Sequence, residues 1–139
     1  MVDESLRKDL LELIQRIPIV QTLGIRIDGL DAGVCRASVR RDTCYDGIFR
    51  SVHGGILMTI ADSIACFAIM TLTGPEERLT TTDMNIRFLE ACRTDVHAEA
   101  RVLKLGRTLC PVEVDLFDAD HTRVAVAQVT YFRLPPRSG

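Results

Sequence analysis

Seventeen consecutive residues, 56–72, are apolar apart from Asp62 and three small hydroxyl residues, and they are bracketed by Gly54-Gly55 on one side and Gly74-Pro75 on the other. Glycine and proline at these places are the punctuation that opens and closes a helix. Ile56, Leu57, Met58, Ile60, Ile64, Phe67, Ile69 and Met70 leave the predicted helix, residues 53–72, without a polar face. Such a helix must be covered on most sides. A bilayer is a poor cover, because the run is at the short end for a span and would strand the Asp62 carboxylate near its middle. A protein sheet is the alternative, and the rest of the chain reads as one.

Downstream, Met84, Ile86 and Phe88 alternate with Asn85 and Arg87, and Val96, Ala98, Ala100 and Val102 alternate with His97, Glu99 and Arg101. Val112, Val114 and Leu116 alternate with Glu113 and Asp115, and a last run through Val124, Val126 and Val129 ends at Phe132. Period two puts one face on a core and one in water, as in an antiparallel sheet. The breaks at 105–108 and 118–121 are short enough for hairpins. Upstream, residues 24–30 and 34–40 are extended candidates around the turn signal Asp31-Ala32-Gly33, and residues 41–52 are polar and irregular. Leu6, Leu10, Leu13, Ile14 and Ile17 have helical spacing, with Ser5 as the expected N-cap and Pro18 as the stop. The pattern predicts an α+β fold in which one antiparallel sheet wraps a single central helix. It is expected to form one domain over 1–139, with an N-terminal helix within 1–19 and a C-terminal tail at 134–139.

Composition narrows the function. A formal charge of −2 without a basic run argues against nucleic acid as a partner, and 5% aromatic residues without Trp argue against a base-stacking platform. The five cysteines (Cys35, Cys44, Cys66, Cys92, Cys110) are odd in number and form no C-x-x-C pair, so they are expected as reduced, buried thiols. Acidic residues stand near the N-terminus where a signal peptide would carry base. A cytoplasmic protein, not bound to membrane, is the expectation.

Chemistry concentrates in residues 52–63. Two glycines at a helix start let backbone N–H groups approach a ligand with no Cβ between. Those N–H groups lack intrahelical partners, so Gly54 and Gly55 can receive a developing oxyanion; tight packing against a neighbouring backbone explains the same glycines. An ionised carboxylate on an apolar helix costs several kcal/mol unless satisfied. Asp62 is therefore either a salt-bridge partner of Arg50 or Arg87, or a nucleophile or general base. Gly54 and Asp62 are eight residues apart, roughly 12 Å along a helix axis. Groups acting on one carbonyl must approach the reacting atom within about 3–3.5 Å. If both act in one reaction, a second chain must bring its copy alongside, giving two composite sites per two-fold dimer.

His53-Gly54-Gly55 followed by Ala61-Asp62, then Thr81-Thr82-Asp83-Met84-Asn85 leading into a strand, resembles the hotdog-fold acyl-CoA thioesterases, and within them the phenylacetic-acid-degradation type. The resemblance spans roughly residues 20–133. It implies hydrolysis of an acyl-CoA to free acid and coenzyme A by a homodimer or dimer of dimers, with no metal or tightly bound cofactor. It further implies that the Gly54 N–H polarises the thioester carbonyl, that Asp62 of the opposite subunit attacks or activates water, that His53 is structural beside the helix start, and that Thr81 positions the water. Members of the family commonly carry Asn six residues before the histidine. This chain has Gly47 there, with Asp46 or Arg50 available to replace the Asn. The resemblance also points to phosphate contact by the 104–107 turn, through Arg107, where a solvated turn serves as well.

Other residues are weaker candidates. His97 and His121 are expected to face solvent. Cys66, four residues after Asp62, has no evident base and is expected in the core. Met58, Phe67, Ile86 and Phe88 are candidates to line an acyl pocket. A catalytically silent acyl-CoA binder, or a hotdog hydratase or dehydratase, are the alternative functions.

Overall fold

A computed structural model describes residues 2–136, so the end of the expected C-terminal tail, 137–139, lies outside the described residues. Three helices, α1 (Glu4–Gln15), α2 (Pro18–Leu23) and α3 (Gly54–Thr73), accompany six strands: β1 (Ile25–Asp31), β2 (Val34–Val39), β3 (Leu79–Phe88), β4 (Val96–Val102), β5 (Leu109–Phe117) and β6 (Arg123–Arg133). All pairings are antiparallel, in the order β1-β2-β4-β5-β6-β3. The expected sheet around a central helix is present. α3 lies on its inner face, in contact with every strand.

α3 buries ten residues, among them Leu57, Ile60, Ile64, Phe67 and Ile69. The inner faces of β4, β5 and β6 meet them with Ala98 and Ala100, with Cys110, Val112, Val114 and Leu116, and with Ala125, Ala127, Val129 and Tyr131. Small residues on β4 and β6 let the helix come close, and the larger ones on β5 fill the centre. The helix ends at Gly74, whose φ of 86° suits glycine and whose N–H reaches the Met70 carbonyl at 2.9 Å. The Thr71 hydroxyl accepts the Gly33 N–H at 2.7 Å, fastening the β1–β2 turn to α3.

Several local expectations change. The N-terminal helix is two helices: α1 stops at Gln15, and Pro18 opens α2, because proline's missing N–H is no loss in a first turn. The cap of α1 is Asp3, whose carboxylate accepts the Leu6 N–H at 2.8 Å, so Ser5 lies inside the first turn. From Ala125 to Tyr131 the inward positions of β6 are the odd-numbered ones, which puts Val126 on the outer face beside Asp115. The buried Asp115 stands there between Arg101 and Arg123, at 3.5 and 3.3 Å. Cys35, Cys92 and Cys110 are buried and Cys66 is half-buried, but Cys44 is exposed, in a short 3-10 turn over Thr43–Tyr45.

β3 contains a bulge between Thr81 and Asp83. Before it Leu79 and Thr81 face inward, and after it Met84 and Ile86 do. The extra residue, Thr82, switches the parity. Both Thr81 and the Met84–Ile86 pair thus reach the helix side, which an unbroken strand does not allow.

Ile64 is fully buried at the middle of α3. Ile64→Ala is expected to lower the unfolding free energy by about 3 kcal/mol, read from the urea midpoint at unchanged slope.

Candidate functional site

The start of α3 is capped by its own histidine. His53 Nδ1 accepts the Gly55 N–H at 2.9 Å, and the His53 carbonyl accepts the Ile56 and Leu57 N–H groups. An accepting Nδ1 places the ring proton on Nε2. Of the first helical N–H groups, Gly54 alone has no partner among the described residues. It points out of the positive end of a 20-residue helix. The Phe88 ring, half exposed at the end of β3, lies over Gly54: a Cβ there would stand 2.9 Å from the ring's Cζ. Gly54 is thus glycine for packing as well as for access.

Gly47 lies beside the His53 ring, where a Cβ would stand 3.6 Å from Cδ2. The position is adjacent to the helix start, and a side chain would fit there. Neither proposed replacement for the missing Asn occupies that place. Asp46 is turned to Arg41, whose guanidinium meets its Oδ2 at 2.6 Å in a largely buried pair. Arg41 also donates to the Arg93 and Arg50 carbonyls, pinning the 46–50 loop. Arg50 itself is exposed, with a left-handed φ of 57°. The loop tip presents Ile48 and Phe49 almost fully to solvent.

Two turns further along α3, the half-buried Asp62 contacts neither Arg50 nor Arg87, and the expected salt-bridge alternative is absent. Its partners are hydroxyls. Thr81 Oγ1 donates to Asp62 Oδ1 at 2.7 Å, while Tyr131 Oη lies 3.0 Å from the same oxygen and 2.7 Å from the Asp62 carbonyl. Thr81 and Tyr131 are cross-strand partners on β3 and β6, both facing α3. Oδ2 has no hydrogen bond among the described residues. Thr81 therefore gives its proton to the carboxylate and keeps lone pairs for a water. Tyr131 is the residue that sequence reasoning missed. The signal was present: an inward tyrosine two residues after Val129 requires a polar partner for its hydroxyl.

Burial, with the nearby thiol and carboxylate, pushes the Tyr131 phenol far up, so it remains a proton donor at any working pH. Burial and then Asp62 push the Cys66 thiol up to about 11, which removes it as a nucleophile near neutrality. Gly55, Thr59, Asp62, Ser63 and Cys66 form one incompletely covered stripe along α3. The Thr59 and Ser63 hydroxyls bond back to the Gly55 and Thr59 carbonyls.

Gly54 adjoins the start of this stripe, beside the end of β3, and Asp62 lies two turns along it, beside the beginning of β3. Arg107 is exposed in the β4–β5 connection, next to Thr108, whose carbonyl accepts the Arg133 N–H. That puts it toward the Asp62 end of the sheet. His97 and His121 are exposed. Of the four candidate pocket residues, Phe67 is buried in the core, Met58 and Ile86 are half-buried, and Phe88 is over Gly54.

A family model described as the thioesterase superfamily matches residues 49–125, more than half of the chain and the whole of α3, β3, β4 and β5. The chain belongs to the thioesterase superfamily. A provisionally named esterase of Halobacterium salinarum is 33% identical over 88 residues, 58% of this chain and 58% of that protein. The crystal structure of a thioesterase family protein from Silicibacter pomeroyi superposes with a TM-score of 0.87 at 26% identity, covering 94% of this chain and 99% of that one. The Escherichia coli PaaI protein, from the phenylacetic acid degradation operon, gives the same TM-score at 18% identity, with 97% of each chain covered. The architecture is the hotdog fold of the thioesterases.

Because Cys44 is exposed and Cys66 is held protonated, a disulfide reagent at pH 8 is expected to titrate one thiol per native chain quickly and all five after denaturation. Cys44→Ser should abolish the fast phase. Labelling of Cys66 should rise about tenfold per pH unit toward about 11, in step with its thiolate fraction.

Proposed function

We propose that this chain, a hydrolase of the thioesterase superfamily, cleaves acyl-CoA thioesters to free acid and coenzyme A, with Asp62 as nucleophile or general base and the Gly54 N–H of a second copy as oxyanion donor. The observation that carries the reading is the divided state of the Asp62 carboxylate: two hydroxyls fix Oδ1, while Oδ2 is left open on a helix that has no other charged side chain. An ionised carboxylate in such a place is satisfied enough to exist and free enough to react.

Oδ2 either adds to the thioester carbonyl carbon or takes a proton from the water that does. In both routes the carbonyl oxygen gains charge, which the unpaired Gly54 N–H receives at the positive end of a helix. The C–S bond then breaks; on the general-base route the departing thiolate takes up the proton that Asp62 has drawn from water, and on the aspartyl route it takes one from solvent. On the aspartyl route, water next cleaves the acyl-carboxylate anhydride and restores Asp62. Phe88, over Gly54, offers apolar surface to the acyl chain, and the exposed Ile48 and Phe49 follow Gly47, which lies against His53 at the same end of α3.

Assembly follows from the spacing. One rigid helix keeps Gly54 and Asp62 about 12 Å apart, and the whole outer edge of β3, ten residues, is unpaired among the described residues. An exposed edge of that length is a template for another strand. A two-fold axis between two β3 edges would run the helices antiparallel and bring the Asp62 of each chain toward the Gly54 of the other. Homodimers, or dimers of dimers, with acyl-CoA and Arg107 near the nucleotide phosphates, complete the proposal.

The test is thiol release from a panel of short, medium, long and aromatic acyl-CoAs, with Asp62→Asn alongside. Wild type should turn over at least one class, and Asp62→Asn should lose at least about a hundredfold in kcat with its circular dichroism unchanged. Undiminished hydrolysis by the variant would refute the role of Asp62. Tight acyl-CoA binding without thiol release would make the chain a silent binder.

A further inference from the structure

We infer that Tyr131 is a positioning residue that selects which oxygen of the Asp62 carboxylate reacts; this deepens the reading of Asp62 given above and rests on it. Tyr131 stands at the inner face of β6, 6% exposed, and reaches across to α3. Its hydroxyl has one proton and two acceptors within range, both on Asp62: the main-chain carbonyl at 2.7 Å and Oδ1 at 3.0 Å. It therefore fixes the carboxylate relative to the helix backbone that carries it. Thr81, opposite Tyr131 in the β3–β6 ladder, adds a second proton to the same Oδ1 at 2.7 Å. The Thr81 hydrogen bond and the shared Tyr131 proton together hold Oδ1 and with it the plane of the carboxylate, whereas a freely turning carboxylate would present either oxygen equally. With Oδ1 committed, Oδ2 is the atom left facing the uncovered stripe of α3.

The side chain is suited to this duty. The ring is packed among core residues, so the hydroxyl position is set by the sheet and not by a mobile side chain. Burial keeps the phenol protonated, so it donates wherever the carboxylate is ionised. A hydroxyl that only filled a polar requirement in the core would need one acceptor. The shorter contact with the helix carbonyl would meet that requirement alone, and the placement of Oδ1 at 3.0 Å, where it shares the same proton, is additional. Because Tyr131 touches Asp62 and not the reacting atoms, its loss should lower turnover and leave affinity for the thioester alone.

The experiment compares kcat and KM for the best acyl-CoA substrate in wild type, Tyr131→Phe, Val129→Ala and Asp62→Asn, with thermal melts of each. Tyr131→Phe keeps the ring and removes only the hydroxyl. It is expected to lower kcat about tenfold with KM within twofold. Val129, buried on the same face of β6, has no polar contact. Val129→Ala should lower the melting temperature at least as much as Tyr131→Phe yet keep kcat near wild type, which separates positioning from packing. Wild-type turnover in Tyr131→Phe would overturn the inference, as would a proportional loss of kcat in Val129→Ala. If Asp62→Asn is inactive while Tyr131→Phe is fully active, positioning alone fails. If Asp62→Asn is itself active, the reading of Asp62 falls, and the role of Tyr131 with it.

Discussion

Burial of α3 is the constraint on which the rest of the molecule depends. Each large aliphatic side chain taken out of water there contributes about 1.5–3 kcal/mol, and the helix has such side chains on nearly every side. Only a surface that curves around it can cover them, and the six-stranded sheet does so, with α1 packed alongside. The β1–β2 turn is tied to the far end of the helix through Thr71, so sheet and helix move as one body. Gly54 and Asp62 ride on that body at a fixed offset. Neither can adjust toward the other, and precision in the candidate site is inherited from the core.

What the core does not set, strand register does. Asp62 would be an uncompensated charge in an apolar groove if β3 and β6 were shifted by one residue, since each inward side chain would then turn outward. The bulge at Thr82 lets β3 serve two masters: Met84 and Ile86 pack on the core in one parity, and Thr81 meets Asp62 in the other. A locally imperfect strand is what makes the carboxylate tolerable.

These two layers differ in how far the sequence reveals them. The helix, its glycine boundaries and the alternating strands are legible because each is a local period; β1, β2, β4 and β6 fall within a residue of their expected places, while β3 begins five residues and β5 three residues before the alternation that marks them. Gly54 and Asp62 stand out for the same reason, one as punctuation and the other as a charge in an apolar run. Contacts between distant segments are not legible in this way. Tyr131 is 69 residues from Asp62, and its inward orientation depends on β6 parity, which Val124 and Val126 obscure by making both faces look apolar. The bulge that turns Thr81 inward has no distinctive residue, being one threonine among three. Near the N-terminus, Pro18 carries two meanings, the end of one helix or the first turn of the next, and spacing alone does not choose between them. The Arg41–Asp46 pair is hidden too: five residues apart, both look like solvated loop charges, and only the fold shows them clamped together.

The hydroxyl groups around Asp62 have a consequence for the polarity of the surface they form. Thr59 and Ser63 give their protons to helix carbonyls, Thr81 gives its proton to the carboxylate, and Tyr131 shares its proton between the carboxylate and the main chain. Every side-chain hydroxyl proton on this flank is spent within the chain, so what remains on offer there is lone pairs. A water molecule settling beside Asp62 is received by acceptors and must turn its hydrogens toward the protein. Its own lone pairs then point outward, the orientation in which water attacks an electron-poor carbon.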